Sequence, residues 1–334
     1  MKREVNVAVA GATGAVGVEF LSVLERLEFP VKNLKLLASA RSAGKKMKFK
    51  GTELLVEEMK PDSFKGIDIA LFSAGSALSK EYETHVHQAG AVMIDNSSAF
   101  RMREGTPLVI PEINPQDALL HKGTIANPNC STIIMLMAVF PLHQKYPVKR
   151  IVVSTYQAAS GGGYAAMQEL TESTKAYLQE IPFTPKVLPV DYAFNLFSHN
   201  SAMQASGYNQ EEEKMIHETH KILRMQQMEV TPTCIRVPVL RAHAESISME
   251  FEGEAPSVEE ARALYEAFPG VAVIDDRDTN RFPTPREASE TFDTYVGRIR
   301  HDPFRKNVLN VFAVGDQLLK GAALNAVQIA ELLV

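Results

Sequence analysis

The chain has 334 residues, of which 45% are hydrophobic and 22% charged, and it carries a formal net charge of −5. That length is more than a single hydrophobic core ordinarily organises, so two domains are expected. The charge is modest and free of long runs, which argues against nucleic acid or a membrane surface as partner. The apolar run 133–140 ends at Pro141, well short of a bilayer span.

The first predicted element is a buried strand over Val5–Ala10. Lys2 and Arg3 ahead of it suggest a signal peptide, but Glu4, Asn6 and the glycines that follow fit a first strand better. Gly11-Ala12-Thr13-Gly14-Ala15-Val16-Gly17 comes next, and a helix is predicted over 16–27. Glycines allow a tight turn, close backbone approach to a pyrophosphate and close helix–strand packing. The spacing is G-x-x-G-x-x-G rather than G-x-G-x-x-G. Its place between strand and helix assigns Gly11, Thr13, Gly14, Ala15 and Val16 to a dinucleotide.

A second strand, 34–39, runs into Ala38-Ser39-Ala40-Arg41-Ser42-Ala43-Gly44-Lys45. An NAD site usually has an acidic residue here for the ribose hydroxyls. This segment has none, while Arg41 and Ser42 suit a 2′-phosphate, so NADP is the predicted cofactor. The plain alternative is a solvated basic loop. Short apolar runs at 67–72, 92–94 and Thr124–Ala126, alternating with helical stretches, indicate a parallel sheet covered on both faces.

Asn127-Pro128-Asn129-Cys130-Ser131-Thr132 then leads into the apolar run. Asn129 suits an N-cap, and a thiol at a helix start sits where the dipole favours the thiolate. Beside a nicotinamide, such a thiolate points to attack on an aldehyde followed by hydride transfer.

After Cys130, strands are predicted at 151–156, 233–239, 246–251, 271–274, 295–300 and 309–314, with fewer helices between them. A mixed or antiparallel sheet follows. Ser257-Val258-Glu259-Glu260 reads as a capping box, and 182–189 and 199–209 as surface loops. Ala323, Val327 and Ala330 give 321–334 a helical spacing, and this helix is expected to pack on the first domain.

Two cysteines and no targeting segment suggest a reducing cytoplasm. Cys234 reads as a small buried side chain, and a Cys130–Cys234 disulfide stays open. Of nine histidines, His85, His87, His121, His143, His199 and His301 lie in ordinary surroundings. His217 and His220 lack a third ligand, so no metal site is predicted. His243 lies just past a strand carrying Arg236, where it can face a cleft, although a surface histidine is the plainer reading.

Taken in order, 11–17, 38–45, 127–132, 154–161, 236–245 and 316–328 resemble the aspartate-semialdehyde dehydrogenases of Gram-positive bacteria, over essentially the whole chain. The resemblance implies an α/β chain: a Rossmann-type NADP-binding domain at 1–130, completed by a helix at 320–334, and an α+β catalytic and dimerisation domain at 131–319 with a mixed, largely antiparallel sheet. It makes Cys130 the nucleophile, His243 the acid/base group and Gln157 the group that orients substrate. Arg236 would grip the substrate carboxylate, Arg101 and Lys214 the phosphate, and Glu211 the amino group. The run Glu211-Glu212-Glu213 leaves that last position open by one residue. Asn129 is counted with the substrate-binding residues, and Ser160, Gly161 and Gln317 with the nicotinamide half of NADP.

The implied reaction is reductive dephosphorylation of L-4-aspartyl phosphate to L-aspartate 4-semialdehyde through a Cys130 thioester, in the biosynthesis of lysine, methionine and threonine. The ordinary histidine pKa, near ~6.5, suits His243 to proton transfer. A cytoplasmic homodimer or homotetramer is expected. The rivals are an N-acetyl-γ-glutamyl-phosphate reductase, with a substrate one methylene longer, and a non-catalytic NADP-sensing protein. A short-chain-type reductase is disfavoured, because no tyrosine has a lysine four positions later.

Overall fold

The computed structural model describes residues 3–334; Lys2 lies outside them. The chain divides into two units. One runs to Asn129 and takes in Ala322–Val334, and the other is Cys130–Gly321.

The first unit opens with β1 (Val5–Ala10), α1 (Ala15–Arg26) and β2 (Val31–Ala38). It continues through β3 (Lys46–Phe49), β4 (Thr52–Glu58), β5 (Ile69–Phe72), α2 (Ser76–Gln88), β6 (Val92–Asp95) and β7 (Thr124–Ala126). The sheet order is β3-β4-β2-β1-β5-β6-β7, parallel except for the β3–β4 hairpin. β5 is buried at every position, which is why its sequence is a continuous apolar run rather than an alternation. The β3–β4 hairpin escaped the sequence reading. It lies at the sheet edge, is largely exposed and is rich in lysine and glutamate, a composition that blunts an edge strand and hides its apolar pattern.

The second unit comprises α3 (Cys130–His143), β8 (Val148–Gln157), α4 (Tyr164–Leu178), β9 (Phe197–Ser198), α5 (Gln210–Leu223), β10 (Glu229–Arg236) and β11 (His243–Phe251). After these come α6 (Val258–Ala267), β12 (Val271–Val273), α7 (Pro285–Ala288), β13 (Thr294–His301) and β14 (Val308–Gly315). Its sheet runs β12-β13-β14-β11-β8-β10-β9. β8 pairs in parallel with β10, as β12 does with β13, and the other pairings are antiparallel. The fold is therefore a Rossmann-type domain followed by a mixed-sheet domain.

Helix α3 is buried almost all round, so its sequence shows no amphipathic stripe. The second unit holds more helix than its strand-like sequence suggested, α4 above all. Ser257 caps α6 by accepting the Glu260 N–H at 3.1 Å. A reciprocal capping box forms instead at α5, between Asn209 and Glu212.

The last helix, α8 (Leu324–Glu331), packs on α1, β5 and β6 of the first unit. Asn325 donates to the Val109 carbonyl at 2.9 Å and to Asn127 Oδ1 at 2.7 Å. Among the described residues, no helix is long and apolar enough to cross a membrane.

Candidate active site

Cys130 is the first residue of α3, half-buried and not in a disulfide, and Asn129 precedes it at the N-cap position. Cys234 is likewise outside any disulfide, buried on β10, and burial raises its pKa. Gly321 packs against Cys130 so closely that an added Cβ would lie 2.8 Å from Cys130 Cβ and 3.2 Å from Gln317 Cβ. Gln317 Oε1 accepts the Ala242 N–H at 2.9 Å, and its amide nitrogen donates to Ser160 Oγ. Through Gly321 and Gln317, Cys130 is thus adjoined to Ser160 and to the start of β11.

Sheet register gathers three more of the predicted residues. Arg236 pairs with Gln157 in parallel register, and Ala244 pairs with Tyr156 in antiparallel register. One step further along, His243 stands at the level of Gln157, and its partner on β14 is Gly315. Arg236, Gln157 and His243 therefore form a row where three neighbouring strands begin or end. Gln157 accepts from the Thr155 hydroxyl at 3.0 Å and donates to Glu211 Oε1 at 3.2 Å. Glu211 Oε2 receives Lys214 Nζ at 3.0 Å. Of the three consecutive glutamates, Glu211 meets this row. Glu212 is bound to the backbone of Asn209 and Cys234, and Glu213 to Ser206.

The backbone N–H of Ala158 donates to His243 Nδ1 at 3.0 Å. A backbone amide can only donate, so Nδ1 presents a lone pair and the neutral ring carries its hydrogen on Nε2. Nε2 is buried and finds no partner among the described residues. Burial, with Arg236 adding to it, lowers the His243 pKa from 6.5 to about 3. This corrects the expectation of a histidine titrating near its ordinary value: the ring is neutral and offers an N–H.

Ala242, immediately before it, holds a positive φ of 70°, an uncommon conformation for a residue with a Cβ. Its N–H bond to Gln317 keeps it there. Gly161 lies beside the row. Its missing Cβ faces Arg236 and His243 in the row.

Two further residues here carry no recognisable signal in the sequence. His199, in a segment that reads as a surface loop, lies 2.9 Å from Arg236 through its Nε2. It is far from Arg236 in the chain, so no local pattern could reveal the pairing. Glu245, two residues beyond His243, is fully buried, its carboxyl finds no hydrogen bond among the described residues, and burial raises its pKa well above the ordinary value.

In the first unit, Gly11 has φ 86°, and a Cβ there would collide with the Ser73 carbonyl oxygen at 2.3 Å. A Cβ at Gly17 would lie 2.2 Å from the Gly11 oxygen, so the helix approaches its own loop as a phosphate-binding turn requires. Gly14 is the N-cap of α1 and provides no side-chain cap, which leaves the first amides of the helix, Ala15 and Val16 among them, suited to an anion. Thr13 Oγ1 donates to Ser42 Oγ at 3.3 Å, joining the loop to the short turn carrying Arg41. These residues fit a dinucleotide. Arg101 is buried in the same unit, donating to the carbonyls of Asn127 and Asn96, each at 2.9 Å.

The nucleotide loop on a Rossmann-type sheet, with a helix-start cysteine ahead of a mixed-sheet domain, defines a semialdehyde dehydrogenase. Two family models agree: the semialdehyde dehydrogenase NAD binding domain matches residues 6–121, and the semialdehyde dehydrogenase dimerisation domain matches residues 139–320. Aspartate-semialdehyde dehydrogenases from Synechocystis sp. and Bacillus subtilis are 51% and 46% identical to the chain, covering 100% and 99% of it and 98% of each relative. Among solved structures, aspartate semialdehyde dehydrogenase II from Vibrio cholerae, complexed with ASA, aligns with a TM-score of 0.95 at 40% identity, over 99% of this chain and 98% of that one. The Candida albicans enzyme with NADP aligns with a TM-score of 0.76 at 25% identity, with the same coverage. The chain belongs to the aspartate-semialdehyde dehydrogenase family.

Proposed function

We propose that the protein catalyses the reversible, NADP-dependent reductive dephosphorylation of L-4-aspartyl phosphate to L-aspartate 4-semialdehyde through a thioester on Cys130, in the biosynthesis of lysine, methionine and threonine. One arrangement carries this reading: a thiol at a helix start, adjoined through Gly321 and Gln317 to a strand-end row of Arg236, Gln157 and His243.

Arg236 offers a planar fork for the α-carboxylate, and Glu211 a buried carboxylate for the α-ammonium. The pairing of Glu211 with Lys214 and Gln157 suits a free amino group better than an acylated one. Arg101 and Lys214 compensate phosphate charge. Gly11, Thr13, Gly14, Ala15 and Val16 hold the pyrophosphate, and Arg41 and Ser42 hold the 2′-phosphate. Ser160 is a contact for the nicotinamide half.

The Cys130 sulfur forms a bond to the acyl carbon while the bond from that carbon to the phosphate oxygen breaks, phosphate leaving with the electron pair. When bound, the nicotinamide cofactor supplies the hydride that reduces the thioester carbonyl. The carbon–sulfur bond then breaks, and Cys130 regains the thiolate. His243 acts as a hydrogen-bond donor: its Nε2–H stabilises the developing oxyanion and stays on the ring, and the proton that phosphate takes up comes from solvent. Helix-start amides at Cys130 add to that stabilisation. Two copies of the chain assemble as a homodimer through the second domain.

The test is mass spectrometry of enzyme quenched during turnover. An aspartyl adduct on Cys130 is expected, absent in Cys130→Ala, which should bind NADP normally without turning over. Full activity in Cys130→Ala would end the covalent reading.

A further inference from the structure

Arg236 is held on three edges of its guanidinium. Nη1 donates to the Ala158 carbonyl at 3.2 Å, Nε reaches Asn200 Oδ1 at 3.4 Å, and Nη2 meets His199 Nε2 at 2.9 Å. A guanidinium has donors only, so His199 Nε2 supplies the lone pair. The Ser201 amide also points at His199, 3.2 Å from Nδ1. A neutral imidazole has one lone pair, and the charged donor has the stronger claim on it. The ring hydrogen is then on Nδ1, which lies 3.1 Å from Ser201 Oγ, and the Ser201 N–H gives up its acceptor, a cost that the charge-assisted bond at Nε2 outweighs. Ser201 Oγ in turn accepts the Glu211 N–H at 3.0 Å and donates to Asn209 Oδ1 at 3.2 Å.

A continuous chain of bonds therefore runs from Arg236 through His199 and Ser201 to the first turn of α5, where Glu211 sits. The two residues assigned to the carboxylate and the amine of an amino acid are joined behind the site. β9 sets this up. It pairs with the end of β10, Phe197 opposite Arg236, and the His199 amide bonds to the Cys234 carbonyl at 2.8 Å. Burial keeps the His199 ring neutral, with Arg236 and Lys214 opposing protonation and Glu211 favouring it; its pKa is lowered to about 4. A carboxylate in the same place would hold Arg236 equally well but would cancel its charge.

We propose that His199 is a positioning residue for recognition of an α-amino acid: a neutral acceptor that orients Arg236 without neutralising it and ties it to the Glu211 turn. This rests on Arg236 being the carboxylate-binding residue. The experiment measures kcat and the separate KM values for aspartate semialdehyde, phosphate and NADP in His199→Gln, His199→Ala, His199→Glu and Arg236→Lys.

A glutamine oxygen can stand about where Nε2 stands, so His199→Gln should stay close to wild type. His199→Ala should raise the semialdehyde KM about tenfold, as loss of a hydrogen bond to a charged group implies. His199→Glu should raise it further, and the phosphate and NADP constants should not move. If His199→Ala shifts all three constants together, or none while Arg236→Lys shifts the first, the positioning role is wrong and the reading of Arg236 stands. An unchanged semialdehyde KM in Arg236→Lys would bring down that reading itself. Should His199→Ala fail to fold, the order of His199→Gln and His199→Glu decides: equal semialdehyde constants overturn the proposal.

Discussion

An added Cβ at Gly161 would stand 3.0 Å from Arg236 Nη1 and 3.1 Å from His243 Nε2. Both neighbours are fixed by other bonds, Arg236 to Ala158 and His199, and His243 to the Ala158 amide, so neither yields easily. Gly161→Ala is therefore expected to lower kcat/KM for the semialdehyde roughly ten- to a hundredfold, about 1.4–2.7 kcal/mol of transition-state stabilisation, with the NADP dissociation constant unchanged. Steady-state kinetics with parallel cofactor titration checks this.

The two buried histidines give a pH prediction. His243 and His199 have pKa values lowered from 6.5 to about 3 and about 4. Well above pH 6.5 both are neutral whether the chain is folded or not, and neither makes stability depend on pH. Below it the unfolded chain takes up protons that the folded one refuses, so stability falls as pH drops from 6.5 toward 4 and then 3. Urea unfolding at pH 7.5 and 5.5 measures the loss. His243→Asn should flatten the slope, and an identical slope in the variant would show that this ring does not contribute.

At the level of elements, the site depends on how helices and turns are anchored to the sheet. Glu212 closes the capping box of α5 and also receives the Cys234 amide, so one carboxylate ties the helix start to β10. Asn209→Ala removes one half of that box and should cost about 1 kcal/mol. Thermal unfolding should show a lowered midpoint, and the semialdehyde KM should rise because Glu211 and Lys214 ride on the same turn. The loop after β14 is fixed comparably. Asp316 binds Arg241 at 2.6 Å and the Glu290 amide at 2.7 Å, which sets Gln317 against Ser160 and Ala242.

On the scale of the molecule, the second unit leaves apolar side chains exposed. Tyr177, Leu178, Ile181, Phe194 and Leu196 cluster in sequence around the end of α4 and the segment after it. Side chains of this size left in water together usually mark a protein interface, and this unit matches a domain described as one for dimerisation. Sedimentation equilibrium is expected to give a homodimer, and Leu178→Glu combined with Leu196→Glu should shift it toward monomer. A wild-type monomer at assay concentration would exclude the arrangement.

Much of this was already legible in the order of the residues, because the chemistry concerned is local. A glycine loop between strand and helix, an asparagine and a cysteine opening a buried helix, and continuous apolar runs in the first sheet are all written over a few consecutive positions. Tertiary structure alone decided the rest. The level at which Arg236, Gln157 and His243 meet is a matter of strand register, and the choice of Glu211 over Glu212 is a matter of which face of α5 turns toward Gln157. The contact between His199 and Arg236 joins residues whose spacing carries no pattern. The neutral state of His243 also comes from three dimensions, since burial and the Ala158 amide, neither visible in the sequence around it, determine where its proton sits.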